Sequence, residues 1–547
     1  MWVSSFPNNS FSTGDRTMSV LPILVFGNVN DDVTLCIGEP YHDAGLFGPD
    51  RAIGIIGSQL LVKENGILSV PYEGGRVLFS LKSGAYDPGK KCTAKATPTV
   101  NRNCSIEQIA KCFGIDVNDI KLSVGQSAWP LPGGGATNIG RGIYRVFRGL
   151  QYRTLVATCS QLQVEDFRKK LASVWGGAEN LIFYPLDIPI GVNVILEGLG
   201  TSLDRNIFRG SQIRNAVLKN EWAPVSSAGV HLVNTIYNDK VAIYALTEAM
   251  RAEAMIIACT ESLCADDAID ASLDAELVKF VNNHLGLIEG MGIKKIGSVH
   301  KFLQNFVLPN ARKTEIPQIW IFNETEFGHF LEALVWMQVG NQGKHIINTQ
   351  EILKGFKTFR QFEHRESGKV KSVIFVTCGN LGAFALDSND NLHFCSVLDL
   401  KVPVQEKNAI GDLFASIILG VVAGGICDRA KTLSTPSKNP SGFVFDKNHQ
   451  WVAYALLAAS AAADSGVYDG FRHVTVANLN ARLSRKAENY AYLGHIDAVL
   501  GQFQNLGKNL DLESFVCNQV PKMKPAVFDE DYMPGMKALV DPSVLSS

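Results

Sequence analysis

The stretch Asn408-Ala409-Ile410-Gly411-Asp412-Leu413-Phe414-Ala415-Ser416-Ile417-Ile418-Leu419 sets a glycine and an aspartate directly before an apolar run that continues to Ile426. The pattern predicts a loop that delivers Asp412 to the mouth of a buried helix. A helix start carries unpaired backbone N–H groups and the positive end of the macrodipole, which together hold an anion such as a polyphosphate. A carboxylate there can take the proton of an attacking hydroxyl. The residues alone leave a second reading open, because Gly-Asp ahead of an apolar helix also serves as a plain turn with a first-turn carboxylate.

Four further segments stand upstream in order. Leu21-Pro22-Ile23-Leu24-Val25-Phe26 followed by Gly27-Asn28-Val29-Asn30-Asp31-Asp32 reads as a buried strand that leaves a carboxylate at its C-terminal edge, where ligands of open α/β sheets bind. Pro132-Gly133-Gly134-Gly135-Ala136-Thr137-Asn138 opens a helix running to about Arg148. Its paired glycines let backbone approach a ligand closely, and Asn138 can read hydroxyls. Ile319-Trp320-Ile321-Phe322 is a strand followed by Asn323-Glu324-Thr325-Glu326. On a helix beginning there, Asn323 and Glu326 share one face and can hold a hydrated magnesium ion from one side. Val373-Ile374-Phe375-Val376-Thr377-Cys378-Gly379-Asn380-Leu381-Gly382-Ala383 is a buried strand that breaks into a glycine turn. Each residue also has a plainer role open to it: Asp32 capping a turn, Asn138 as an ordinary helical polar group, Glu326 facing solvent.

This ordered set resembles the ribokinase-like, or pfkB, family of carbohydrate and nucleoside kinases over most of residues 21–480. The resemblance implies an α/β fold, a three-layer αβα sandwich with a mostly parallel central sheet and a small β lid. It assigns Asp32, Gly133, Gly134 and Asn138 to the substrate, and Asn323 and Glu326 to magnesium and phosphate. Thr377, Gly379 and Gly382 match a T-x-G-x-x-G nucleotide turn. Gly411 and Asp412 match the end of the G-x-G-D signature, with Asp412 as catalytic base and Ala409 and Ile410 beside the nucleotide. The implied cofactors are ATP and Mg2+.

Two departures accompany these matches. Ala409 stands where the family signature has glycine, and the acidic residue usual at the loop start is Glu406. An added Cβ crowds an anion hole or opposes a positive φ, so the expectation for an active enzyme is a negative φ at Ala409. Asp32 and Gly133 are also separated by roughly a hundred residues, which points to a lid enlarged by insertion.

The chain has 547 residues, 46% apolar and 19% charged, which suits a well-buried core and argues against wholesale disorder. A formal net charge of −2 gives no electrostatic footprint for nucleic acid or an anionic membrane. The 11 cysteines include no C-x-x-C pair, which fits buried free thiols in a reducing compartment. Zinc-ligand spacings are absent as well. Residues 1–17 are polar and broken by Pro7 and Gly14, without a signal-peptide core. The Leu413 to Ile426 run is too short to span a bilayer. The expected location is the cytoplasm.

The expected organisation is a flexible N-terminus at 1–20, a kinase domain at 21–480 with lid and insertion at 34–130, and a C-terminal extension at 481–547. Short strand-like runs with Glu64-Asn65-Gly66 and Glu73-Gly74-Gly75 turns occupy the lid, and Ser105-Ile106-Glu107-Gln108 gives a capping-box start to a helical insert. An extra surface subdomain without catalytic part explains that insertion equally well. After the glycine motif, strand-like and helix-like segments alternate, which predicts right-handed βαβ units. Trp451 to Ser465 is an alanine-rich helix expected beside the Asp412 helix, walling the nucleotide site.

Two functions are therefore expected. The first is ATP-dependent phosphoryl transfer to a hydroxyl of a sugar or nucleoside, with no nucleic-acid or membrane partner and with the lid as the surface for a homodimer. The second is a catalytically silent ribokinase-like protein that acts as a binding or interaction module. The stretch from Arg472 to Arg485 is faintly similar to the tail of bacterial inosine–guanosine kinases.

Overall fold

The computed structural model describes residues 23–27, 30–37, 61–63, 67–72, 75–80, 120–122, 131–147, 152–156, 169, 181–183, 191–198, 205–209, 230–234, 239–251, 255–259, 271–284, 294–297, 302, 318–335, 349–366, 372–398, 409–432, 450–471, 474–486 and 489–505. The features expected at 1–20, 64–66, 73–74, 105–108 and 506–547, and Glu406, lie outside the described residues.

The strands are β1 (Ile23–Gly27), β2 (Asn30–Ile37), β3 (Leu61–Lys63), β4 (Ile67–Tyr72), β5 (Gly75–Ser80), β6 (Ile120–Leu122), β7 (Leu131–Gly133), β8 (Tyr152–Val156) and β9 (Leu181–Phe183). They continue as β10 (Gly191–Gly198), β11 (Arg205–Arg209), β12 (Val230–Asn234), β13 (Met255–Cys259), β14 (Gln318–Asn323), β15 (Val373–Thr377), β16 (Gly382–Leu386), β17 (Asn391–Ser396) and β18 (Tyr490–His495). The helices are α1 (Gly135–Val146), α2 (Asp239–Arg251), α3 (Ala271–His284), α4 (Glu324–Val335), α5 (Thr349–Glu366), α6 (Ile410–Thr432), α7 (Gln450–Asp469), α8 (Val476–Lys486) and α9 (Ile496–Asn505).

The main sheet has ten strands in the order β18-β17-β16-β15-β14-β13-β12-β1-β8-β9. From β9 to β15 every pairing is parallel, and β16, β17 and β18 add antiparallel pairings on the other side, β18 joining after α6, α7 and α8. Alternation along the strands sends side chains to two cores. Leu24, Phe26, Trp320, Phe322, Ile374 and Val376 pack with α2, α3, α4, α5 and α9 on one face. Ile23, Val25, Ile319, Ile321, Val373 and Phe375 pack with α1, α6, α7 and α8 on the other. This is why the strands read as continuous hydrophobic runs: both faces are covered.

The chain leaves β1, builds β8 and β9 on one side of it, and returns to build β12 to β15 on the other. Strand order thus reverses at β1, which opens a crevice outside the carboxyl ends of the strands.

A second sheet stands beyond that end of β1, with β2 pairing parallel to β10 and antiparallel to β6 and β7, and β11 beyond β10. Two of its strands, β10 and β11, come from after α1, outside the range 34–130 expected for a lid. Strands β3, β4 and β5 form a separate three-stranded antiparallel sheet.

The expected domain limit at 480 also shifts. Strand β18 pairs with β17 in the main sheet, and Ala491, Leu493, Ile496, Val499 and Leu500 enter its core. Residues 490–505 are therefore part of the main fold. Among the described residues, no helix is long and apolar enough to cross a membrane.

Candidate functional site

The start of α1 depends on Gly134. Its φ of 94° and ψ of 149° are open to glycine and costly for a residue with a Cβ, and its carbonyl accepts the Asn138 N–H at 3.0 Å. Gly133 pairs with Asn30 and Leu131 with Asp32, so β7 lays the glycine motif against the strand that carries Asp32. On the other side of β2, Asn193 of β10 is the register partner of Asp32. No sequence motif pointed to Asn193; only the strand pairing brings it to Asp32.

Ala409 stands just before helix α6, and its carbonyl accepts the Leu413 N–H at 2.9 Å. Ala409 has a φ of 58°. The negative φ expected there is thus corrected: the turn into the helix needs the left-handed conformation, and alanine adopts it at a steric cost. Behind it Ile410 and Asp412 are half-buried, and Gly411 is exposed. A Cβ built on Gly411 meets nothing within 4 Å, so open space adjoins the first turn.

Helices α1 and α6 run side by side in the same direction. Asn138 Nδ2 donates to Asp412 Oδ2 at 2.9 Å, Gly142 lies on Ser416, and Gly420 lies on Phe147. Steps of four or five residues on one helix match steps of four on the other, as in a parallel pair held in register. Both N-termini therefore stand together, and their positive dipole ends add. Parallel dipoles repel, and an anion at that joint end offsets the repulsion.

Two further motifs sit at the carboxyl ends of neighbouring strands, where Asn323 and Thr377 are register partners. Phe414 of α6 meets Phe375 of β15 edge to face at 6.3 Å between ring centroids. That contact ties the first turn of α6 to the strand that ends in Thr377. Asn323 and Glu326 form a reciprocal capping box: the Asn323 N–H donates to Glu326 Oε2 at 2.8 Å, and the Glu326 N–H donates to Asn323 Oδ1 at 2.8 Å. The spacing that suggests a metal pair is also the signature of this cap. Among the described residues, no group of three His, Cys, Asp or Glu side chains converges as a metal cage.

Gly379–Leu381 is a 3-10 turn joining β15 to β16, closed by the Cys378 N–H donating to Gly382 O at 2.7 Å. A Cβ on Gly382 would stand 2.1 Å from the Cys395 carbonyl oxygen, so the hairpin itself requires glycine there. Burial raises the pKa of Glu324. Burial and the nearby Glu324 charge push the Cys378 thiol well above its ordinary value.

Helix α7 braces α6, as its alanine content suggests. A Cβ on Gly466 would stand 2.7 Å from Ile410 Cδ1 and 2.9 Å from Leu413 Cδ2. The same helix holds the chain where it leaves β17: the Leu398 N–H donates to Asp464 and Leu398 O accepts from the Tyr468 hydroxyl. Asp464 in turn pairs with the buried Lys486 of α8 at 2.5 Å.

No protein-family model matches the chain, and no curated protein matches it. Among solved structures, it is similar to a ribokinase from Cryptococcus neoformans var. grubii serotype A in complex with ADP, at 14% identity and a TM-score of 0.43, covering 85% of this chain and 99% of that one. It is also similar to Arabidopsis thaliana ribokinase complexed with ribose and ATP, at 14% identity and a TM-score of 0.41, with 85% and 99% covered. A Burkholderia thailandensis nucleoside kinase in complex with inosine gives 12% identity and a TM-score of 0.40, with 85% and 97% covered. At that distance no activity transfers from them to this chain.

Proposed function

We propose that this chain has a ribokinase-like fold and catalyses ATP-dependent phosphoryl transfer to a hydroxyl of a sugar or nucleoside, with Asp412 as general base. The observation that carries this reading is the hydrogen bond from Asn138 to Asp412. It joins two motifs distant in sequence at the shared N-terminal end of two helices, where an anion and an ionised carboxylate are both favoured.

The residues present fit the nucleotide. Gly411 adjoins open space, and the first-turn N–H groups of α6 suit a phosphate. On this reading Ala409, Ile410 and Gly411 hold the phosphates, while Thr377, Gly379 and Gly382 form the neighbouring turn on the nucleotide side. Asn323 and Glu326 already cap α4, so they fit a cation held chiefly by nucleotide oxygens and water, the usual habit of magnesium. When bound, ATP with magnesium supplies the phosphoryl group and the counter-charge for its transfer. Asp32, Gly133 and Gly134 place the acceptor hydroxyl, Asp412 takes its proton, and α1 and α6 together oppose the negative charge that develops.

The second reading, a silent binding protein, draws on Ala409: a Cβ at a φ of 58° adjoins the place where phosphate would sit. One experiment separates the two. The full chain is assayed with ATP and magnesium over a panel of sugars and nucleosides, and its melting temperature is followed against ATP-magnesium. A melting shift together with transfer to an acceptor supports the kinase. Neither a shift nor any transfer leaves the silent reading.

A further inference from the structure

We propose that Asn138 is the positioning residue of Asp412, acting on the reaction through that carboxylate rather than by reading the acceptor. The inference rests on the kinase reading above. An ionised carboxylate only accepts hydrogen bonds, so the atom of Asn138 that faces Asp412 Oδ2 at 2.9 Å must be the amide nitrogen. The donor is fixed before any substrate arrives: Asn138 is 7% exposed, and its own N–H is bonded to Gly134 O at 3.0 Å. One turn further along, Gly142 and Ser416 lock the two helices against each other.

Asp412 needs such a partner. A carboxylate in the first turn of a helix is drawn toward the unpaired N–H groups of that turn, which would remove it from an incoming hydroxyl. A bond to a donor on a neighbouring helix selects the orientation across to α1. Gly133 and Gly134 precede that same helix, so the base is aimed toward the glycine motif. A group that only read the acceptor would need no bond to the base.

The test is a double-mutant cycle on the full chain with Asn138→Ala, Asp412→Asn and both together. It is assayed with ATP, magnesium and whichever sugar or nucleoside the wild-type protein phosphorylates. Asp412→Asn is expected to lower kcat by roughly two to four orders of magnitude, the scale of a lost general base. Asn138→Ala is expected to lower kcat about 100-fold, the scale of a misplaced reacting group, with the acceptor KM nearly unchanged. The double variant should match Asp412→Asn alone, because a residue that acts through another has nothing left to do once that one is gone. Losses that multiply in the double variant, or a raised acceptor KM with kcat preserved, overturn the assignment. Asn138→Ser replaces the alanine in the cycle if Asn138→Ala lacks the wild-type melting transition. An active wild type with multiplying losses sinks the Asn138 assignment alone; a wild type that transfers to no acceptor sinks the kinase reading and this assignment with it.

Discussion

Gly142 of α1 lies directly against Ser416 of α6: a Cβ at Gly142 would stand 2.1 Å from the Ser416 hydroxyl and 2.7 Å from its Cβ. This approach sets the distance between the two helices and, with Gly420 on Phe147, their register. The Asn138–Asp412 bond one turn away depends on it.

Gly142→Ala is therefore expected to push the helices apart, destabilising the protein by about 1–3 kcal/mol, the usual range for overpacking. On the kinase reading, turnover should fall as well, since Asn138 and Asp412 separate. Adding Ser416→Gly removes both clashing atoms and should restore much of the melting temperature. Wild-type stability in Gly142→Ala alone would show that the helices are not in this contact.

Ala409 gives the opposite sign. Replacing it with glycine relieves a left-handed residue of a strain of about 1–2 kcal/mol, less the extra backbone freedom that glycine loses on folding. Ala409→Gly should raise the melting temperature measurably in the absence of ligand, and its ATP-magnesium shift should equal or exceed that of the wild type. A destabilised Ala409→Gly protein would mean the residue is not left-handed.

Glu326→Gln separates the cap from the cation. Glutamine keeps the capping-box geometry, so the melting temperature should change little. On the kinase reading, the lost charge should raise the magnesium concentration needed for half-maximal rate without a comparable change in acceptor KM. A magnesium titration decides this, and an unchanged curve confines Glu326 to the cap.

Cys378 reports on the glycine turn. Burial and the Glu324 charge hold its thiol protonated at neutral pH, so alkylation by iodoacetamide should be slow at pH 7 and rise with pH, because the thiolate is the nucleophile. Glu324→Gln removes the smaller of the two causes and should speed alkylation modestly. On the kinase reading, ATP-magnesium should slow it. Peptide mapping of the labelled protein measures all three.

Periodicity and turn chemistry made much of the fold legible. The strand expected to end at Phe26 is β1, the Ile319 strand is β14, and the Val373 strand breaks into a turn where its glycines fall. The alanine-rich segment from Trp451 is α7 and lies on α6. Such segments carry their own signal: runs buried on both faces, caps, and glycines at turns. Strands β10 and β11 of the second sheet, and β18 at the edge of the main sheet, carried no comparable signal, because their place depends on partners far away in the chain.

The sequence by itself determined the alternating strands and helices, the two glycine turns, and the placing of Asp412 at the start of a buried helix, since each follows from local propensity and hydrophobic pattern. Tertiary structure alone decided that α1 and α6 run parallel, that Asn138 donates to Asp412, and that Ala409 is left-handed. It also decided that Asn323 and Glu326 bond to each other. The physical reason is range. A hydrogen bond between residues 274 positions apart and the approach of two helices through one glycine are set by packing the whole sheet, and no local window of sequence contains them.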